Sequence, residues 1–377
     1  MSSLLEDPSS FREGQAGSAI DDRFASAERF TTLRGIGNAA KKQLSPSAWN
    51  YLWTGTGDER TADENTAAFD RRRYNTPLFA GIGNPETGTS VLGYDLSFPA
   101  FIAPFGGEAT FHPDGHLAVG RAAEAAGIKQ MVPVAASYSL EDVAAASKAA
   151  AVFQLTFVGD EDHVVDMMHR AAAAGYEYIC VTYSPIRQWR ERLMEDRFSP
   201  RTSLSESNFG PGRSDPAPLH ELLEFTQPRW NWKQAQHAIA RSPLPCIIKG
   251  VQSAEDARAS LDAGAAGLYV SNYGGRTIDR TAATIDILPE IRAVAGREVP
   301  IILDSGIRRG SDIATAVALG ANAVALGRIV ALGLAADGEA GVRRTLDLLQ
   351  QELWTTLGHL GVSSIEELSP AIFRNVL

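Results

Sequence analysis

From Leu96 onward the chain repeats one pattern, a short apolar run followed by an Ala-rich amphipathic stretch that glycine commonly closes. The runs number eight. "PAFIAPFG" precedes "GHLAVGRAAEAAG", "KQMVPVA" precedes "SLEDVAAAS", and "AVFQLTF" precedes "HVVDMMHRAAAAG". "YEYICVTYS" leads into a long irregular stretch that returns at "NWKQAQHAIARS". "PCIIKGV" is followed by "AEDARASLDAG", and "AAGLYVSN" by "IDILPEIRAVAG". "VPIILDSG" is followed by "SDIATAVALG", and "ANAVALG" by "GVRRTLDLLQQELWTTLG". Near-continuous apolar strands belong to a parallel sheet covered on both faces. Eight strand–helix units in series predict an α/β protein of the closed (β/α)8 (TIM barrel) type, with its site on the loops after the strands. An open doubly wound sheet is the alternative, and eight units fit closure better.

At 377 residues the chain is long for one compact domain but within reach of a single barrel with insertions. Residues 1–36 read as a loose N-terminal tail, polar and small, and 37–377 as the barrel domain. An N-terminal helical segment covers roughly residues 39–71, with a break at Gly55 and Gly57. The long insertion after strand 4, residues 185–230, is rich in Pro, Gly, Ser and charge. A lid over the site and an irregular loop are both open readings of it.

The net charge of −10 disfavours polyanions, so no nucleic acid is expected as a partner. The triplet Arg71, Arg72 and Arg73 reads as a solvated loop against that background. The two cysteines, Cys180 and Cys246, sit in apolar runs without metal-type spacing, which fits buried thiols in a reducing compartment. The first residues show no basic n-region followed by an apolar h-region, and no run approaches a membrane span of ~20 apolar residues. A cytoplasmic location is the expectation.

Functional side chains of such a barrel collect where the strands stop. Those ends are Phe105-Gly106-Gly107, Gln154, Thr182, Lys249, Ser271 to Arg276, Asp304 to Arg309, and Gly327-Arg328. After strands seven and eight, "DSGIRRGSD" and "LGR" suit a phosphate pocket of glycine-turn N–H groups, a helix N-terminus and an arginine fork. Arg308 or Arg309 with Gly306, Gly327 and Arg328 would form it. Lys249 ends an apolar strand, so its ammonium points into the mouth, where it suits the electron-rich edge of a flavin; a Schiff-base lysine is the rival role. Gln154 and Thr182 add an amide and a hydroxyl that suit a planar heterocycle.

Two blocks, "IIKGVQSAEDARASLDAGAAGLYVSNYGGR" and "DSGIRRGSDIATAVALGANAVALGR", make the chain resemble the FMN-dependent α-hydroxy acid oxidases and dehydrogenases. "FIAPFG", "HPDGHLAVGRAAEAAG", "FQLTF" and "ENTAAF" resemble further segments, from roughly residue 40 to the end. The resemblance implies an FMN-binding barrel, often a tetramer. It also implies a histidine that takes a proton while the α-hydrogen leaves to flavin N5, and two arginines on the substrate carboxylate. Carried over, Gln154, Thr182, Lys249 and Ser271 match flavin contacts. Asp304, Gly306, Arg308, Gly327 and Arg328 match ribityl and phosphate contacts, with Ser305 where the family usually has glycine. Arg276 and Arg190 match the carboxylate arginines, with Arg187 and Arg192 as alternatives for the second.

The catalytic side departs from that pattern. Tyr273 stands in place of the histidine, Tyr183 and Ser184 where its supporting acid falls, and Thr156 for a family tyrosine. The early substrate tyrosine falls on Trp49, and Phe105 replaces a small polar residue. A phenol with a pKa of about 10 is a poor acceptor at neutral pH unless nearby cations lower it. Three readings follow. The chain is a 2-hydroxy acid oxidoreductase with Tyr273 as base, acting on a small carboxylate-bearing substrate. Or it is an FMN enzyme with altered chemistry on such a substrate: amine oxidation, oxidative decarboxylation or flavin–oxygen monooxygenation. Or it is a non-catalytic flavin-binding protein, against which the kept Arg276 argues. Oxygen, a quinone or a protein would each serve as electron acceptor. Glu108 is the one other carboxylate placed to substitute as base, and Trp189, Trp230 and Trp232 either roof the site or pack the insertion. The histidines show no metal spacing and read as surface, capping or packing groups.

Overall fold

Eight parallel strands close on themselves in the computed structural model, which describes residues 29–183, 188–199, 207–209 and 230–374. They are β3 (Ala100–Ile102), β4 (Lys129–Pro133), β5 (Ala150–Thr156), β6 (Tyr178–Thr182), β7 (Cys246–Val251), β8 (Gly267–Val270), β9 (Ile301–Leu303) and β10 (Ala323–Leu326). Leu326 pairs with Ile102 to close the ring. Each apolar run of the sequence supplies one strand, so the (β/α)8 barrel is the fold.

Helices α4 (Gly115–Ala125), α5 (Leu140–Ala146), α6 (Glu161–Ala173), α8 (Trp232–Ala240), α9 (Ala254–Asp262), α10 (Thr284–Ala295) and α11 (Gly310–Ala318) follow the strands in turn. The short α7 (Glu191–Glu195) lies in the insertion. Side-chain caps set several starts: Ser139 accepts from Asp142 N, Asp160 from His163 N, and Ser253 from Asp256 N. The barrel interior is filled by Phe101, Met131, Val152, Ile247, Tyr269 and Ile302, all buried. Cys180 and Cys246 are buried free thiols, which burial raises to about 12 and about 11, so both are inert packing groups.

A hairpin of β1 (Thr89–Val91) and β2 (Tyr94–Leu96) packs Val91, Tyr94 and Leu96 against that interior cluster. Its turn, Leu92-Gly93, has φ of 56° and 76°, the left-handed pair that matches strand twist in a two-residue hairpin. The sequence pattern did not announce it, because leucine is a rare choice at such a position.

The last strand runs into α12 (Arg328–Leu360), which kinks at Asp337 and Gly338. Only its second half was legible as a helix; the first half, directly after Gly327, matters for the site. Against α12 packs α1 (Leu33–Gln43), capped by Thr32 and burying Leu33, Ile36 and Ala40. Helix α1 thus starts within the stretch read as tail, and residues 1–28 lie outside the described ones.

Two further helices, α2 (Pro46–Trp53) and α3 (Arg60–Asp70), are tied to the loop after β8 at the C-terminal mouth. Thr56 N donates to Gly275 O at 2.9 Å, and Asn65 and Asn272 exchange side-chain hydrogen bonds at 2.9 and 2.7 Å. Gly55 is required there, since a Cβ would lie 2.9 Å from Gly275 O. Most of the 185–230 insertion, and with it the lid reading, lies outside the described residues. Within it, buried Asn208 accepts from Leu140 N at 2.8 Å and donates to Val134 O at 2.9 Å. Among the described residues no helix is long and apolar enough to cross a membrane, and no group of His, Cys, Asp or Glu is placed to hold a metal ion.

Candidate active site

Inward alternation along β7 puts Ile247 in the barrel core and Lys249 in the mouth above it. Lys249 Nζ donates to Ser271 Oγ at 2.7 Å and to Asp304 Oδ2 at 2.9 Å. Tyr269 Oη donates to the same carboxylate oxygen at 2.9 Å. Burial alone would raise the Asp304 carboxyl, but the Lys249 ammonium and hydrogen bonds from Ser271 and Ser305 hold it below the usual range. Asp304 is thus a counter-ion to Lys249 in this arrangement. An ammonium engaged this way suits a flavin edge better than a Schiff base.

Beside it, Thr182 lies in register with Lys249 and Thr156, and its buried hydroxyl has no partner. Gln154 Nε2 reaches Thr156 Oγ1 at 3.1 Å. The two expected phosphate turns differ. At the N-terminus of α11, Arg308 N and Arg309 N donate to Asp312 and Gly310 N to Glu352, so internal carboxylates cap this end. Gly306, at φ 105°, is explained by packing: a Cβ would meet Asn65 O at 2.2 Å. The start of α12 has no side-chain cap, and a Cβ at Gly327 would touch only Ala103, at 3.7 Å. First-turn N–H groups lack intrahelical acceptors, so this is the end open to a phosphate.

Among the described residues, four guanidiniums share the mouth. Arg328 donates to Gly274 O at 2.8 Å and Thr54 O at 3.2 Å, while its buried Nε has no partner. Arg308 lies 5.3 Å from the Trp53 ring centroid. Arg190 Nη2 sits among Tyr51 O at 2.7 Å, Asn50 O and Thr54 O at 3.1 Å, and Thr54 Oγ1 at 3.0 Å. Arg276 Nη2 donates to Tyr51 O at 3.3 Å and to Leu52 O. The C-terminal carbonyls of α2, the negative end of its dipole, thus hold three arginines. Burial lowers all four, aided at Arg190, Arg308 and Arg328 by repulsion from Arg276; Arg190 falls to about 9 and Arg308 to about 10. A desolvated cluster of this kind calls for an anion.

Among the described residues of the insertion, Arg190 is the arginine at the mouth. Arg192 pairs with Glu59 at 3.0 Å on the surface, and Arg187 lies outside the described residues.

Tyr273 takes left-handed backbone, φ 58°, and swings its ring toward the bulge at Gly250. Its hydroxyl donates to Lys249 O at 3.2 Å and Tyr183 O at 3.3 Å. The phenol is no better an acceptor than its ordinary value implies: burial, reinforced by Cys180, Asp304 and Asp256, pushes it well above that value. Behind it lies a cavity of about 270 Å³ lined by Phe157, Tyr183, Trp230, Trp232 and Tyr273.

The sequence matches the FMN-dependent dehydrogenase family over residues 40–375. It is 37% identical over 339 residues to glycolate oxidase 3 of Arabidopsis thaliana, covering 88% of this chain and 92% of that one. It is 34% identical over 348 residues to L-lactate oxidase of Nostoc sp. (strain PCC 7120), covering 89% and 95%. The crystal structure of a mandelate oxidase superimposes with a TM-score of 0.82 at 32% identity, covering 92% of this chain and 98% of that one. The chain belongs to the FMN-dependent dehydrogenase family.

Within this family of α-hydroxy acid oxidases the chain is an FMN-dependent oxidoreductase, and the mouth fits that cofactor. The orphaned Thr182 hydroxyl, the open turn at Gly327 and the unpartnered Arg328 Nε are the groups a bound heterocycle and phosphate would satisfy. Lys249 and Ser271 would face the heterocycle, and Arg308 and Arg328 the phosphate.

The catalytic side shows what the sequence reading missed. Tyr51 rather than Trp49 is the α2 aromatic under Arg190, which lies 5.5 Å over its ring; the Tyr51 hydroxyl donates to Gly106 O at 3.1 Å. Trp49 stacks on Trp53 at 5.5 Å. Two residues apart on a helix lie nearly opposite, which the alignment of aromatics alone did not resolve. Glu108 is no substitute base. Its fully buried carboxylate accepts from Ser137 N at 2.8 Å and lies 3.8 Å from His116, pinning the loop after β3. Trp230 packs on Phe157 at 4.8 Å and Trp189 is largely exposed.

Proposed function

We propose that this FMN-dependent oxidoreductase oxidises a small carboxylate-bearing substrate of the 2-hydroxy acid type. The observation that carries the reading is the pair Arg190 and Arg276, two desolvated guanidiniums whose described partners are neutral carbonyl and hydroxyl oxygens. A carboxylate is the group that best replaces those oxygens, because bidentate charge-assisted hydrogen bonds are about twice as strong as neutral ones. When bound, FMN supplies the two-electron acceptor. Arg190 and Arg276 orient the substrate, Lys249 keeps positive charge beside the heterocycle, and α2 with α3 screens the mouth. Tyr273 is a hydrogen-bond donor to the backbone, so this phenol is not placed to take the hydroxyl proton.

That last point supports a second reading, the same pocket acting on a carboxylate substrate whose amine binds unprotonated and so needs no such acceptor. Anaerobic mixing with 2-hydroxy and 2-amino carboxylates separates the two. Bleaching of the yellow flavin by hydroxy acids supports the first reading, and bleaching by amino acids alone supports the second. No bleaching by either class contradicts both.

Oxygen is proposed as electron acceptor, in line with relatives named oxidases. A homotetramer is proposed by resemblance, and a cytoplasmic location from the two free, buried cysteines; Leu78 and Phe79, 85% and 102% exposed, are apolar surface that such an assembly would cover.

A further inference from the structure

Tyr273 touches Lys249 at both ends. Its hydroxyl donates to the Lys249 carbonyl at 3.2 Å, and its ring lies under the Lys249 ammonium, 4.7 Å from centroid to Nζ. Tyr269 provides a second ring, at 4.2 Å. Ser271 ties the two residues again, its hydroxyl accepting from Lys249 Nζ at 2.7 Å and from Tyr273 N at 3.0 Å. Gly250 makes the contact possible, since a Cβ there would fall 2.2 Å from the phenol oxygen. The ammonium therefore sits in a cage of two ring faces, a serine hydroxyl and the Asp304 carboxylate.

We propose that Tyr273 is a positioning residue that fixes Lys249 as the cation of the flavin site. A ring face attracts an ammonium by its quadrupole, more strongly when desolvated. A histidine at this place would become a cation on taking a proton, and would then repel Lys249. A phenol stays neutral and keeps its negative face toward the lysine throughout turnover. Exchange of a proton acceptor for a cation holder accounts for the ring, the hydroxyl clamp and the left-handed backbone together.

The inference rests on the reading that FMN occupies the mouth. It is tested on the FMN-loaded protein by reversible bleaching with inorganic sulfite and by the two-electron midpoint potential, both of which rise with positive charge beside the ring system. Tyr273→Phe keeps the ring face and is expected to stay within about threefold of wild type in sulfite affinity. Tyr273→Leu is expected to weaken sulfite binding about tenfold and to lower the potential by about 30 mV. Replacing Tyr273 by phenylalanine analogues of rising ring fluorination keeps the shape and drains the negative face, so both readouts should fall stepwise even where Tyr273→Leu folds poorly. Equal affinity and potential across wild type, Tyr273→Leu and the fluorinated series would overturn the proposal while leaving the FMN reading intact. Failure of the wild-type protein to take up FMN would instead overturn the reading beneath it.

Discussion

Arg190 donates to both the carbonyl and the hydroxyl of Thr54, at 3.1 and 3.0 Å, and Arg328 donates to the same carbonyl at 3.2 Å. One residue at the end of α2 thus draws together the arginine proposed for substrate and the arginine proposed for phosphate. With Arg276 on the Tyr51 and Leu52 carbonyls, the helix end stands in for an anion. Neutral oxygens compensate buried guanidiniums only in part.

Anion binding should therefore stabilise the protein. The sign follows from the lowered values: folded Arg190 binds a proton less readily than the unfolded chain does, so its cost is present at neutral pH and disappears only in strong alkali, above about 9. FMN at a hundred times its Kd should add about 2.7 kcal/mol and raise the melting temperature of the apo-protein by several degrees. Sulfate should raise it less. An unchanged melting temperature with saturating FMN would count against the phosphate assignment.

Tyr273→Phe should retain FMN and reduce it at a rate within about tenfold of wild type. Loss of a general base removes about 10²–10⁴-fold. A loss in that range, measured by anaerobic stopped flow, would make the phenol a base after all. Stability should fall by about 1–3 kcal/mol, because the one hydroxyl proton shared by two backbone carbonyls is lost.

Asp304→Ala should be among the most damaging single changes near the mouth. It leaves the Lys249 ammonium without its counter-ion at 2.9 Å. Removing one partner of a buried pair costs about 3–5 kcal/mol. Denaturant unfolding checks this, and a change below 1 kcal/mol would show the pair to be solvated in solution.

Asp312, which caps α11, is raised to about 6, chiefly by burial. A carboxyl raised on folding stabilises the fold when protonated, so its contribution is full below pH 4 and is lost as pH rises through 6. Asp312→Asn should flatten the fall in melting temperature between pH 4 and 6 relative to wild type. Identical slopes for the two proteins would contradict this assignment.

How much of this was legible depended on the kind of signal. Strand periodicity carried the barrel, because each run from "PAFIAPFG" to "ANAVALG" must be apolar on both faces. The place of Lys249 in the mouth was legible because a charge near the end of an apolar strand has few other places to go, whereas Arg276 and Arg328 were read from the loops that follow strands. The β1–β2 hairpin was not, since strands of three residues with leucine in the turn carry no turn signature. Whether cations tune the Tyr273 phenol was left open by the sequence, which shows which charges are near but not how deeply a ring is buried, and burial is the larger effect here. The cap on α11 escaped notice for the same reason: Asp312 and Glu352 meet that helix end only in three dimensions.

The central claim is that two arginines receive a substrate carboxylate beside the flavin. It is tested most directly by the anaerobic rate of flavin reduction in wild type and Arg276→Met, using whichever carboxylate bleaches the wild-type protein. Loss of a charge-assisted contact of about 1.5–3 kcal/mol predicts a fall of about 10- to 150-fold in the second-order rate of reduction, with FMN still bound. An Arg276→Met protein that is reduced at the wild-type rate would contradict the account.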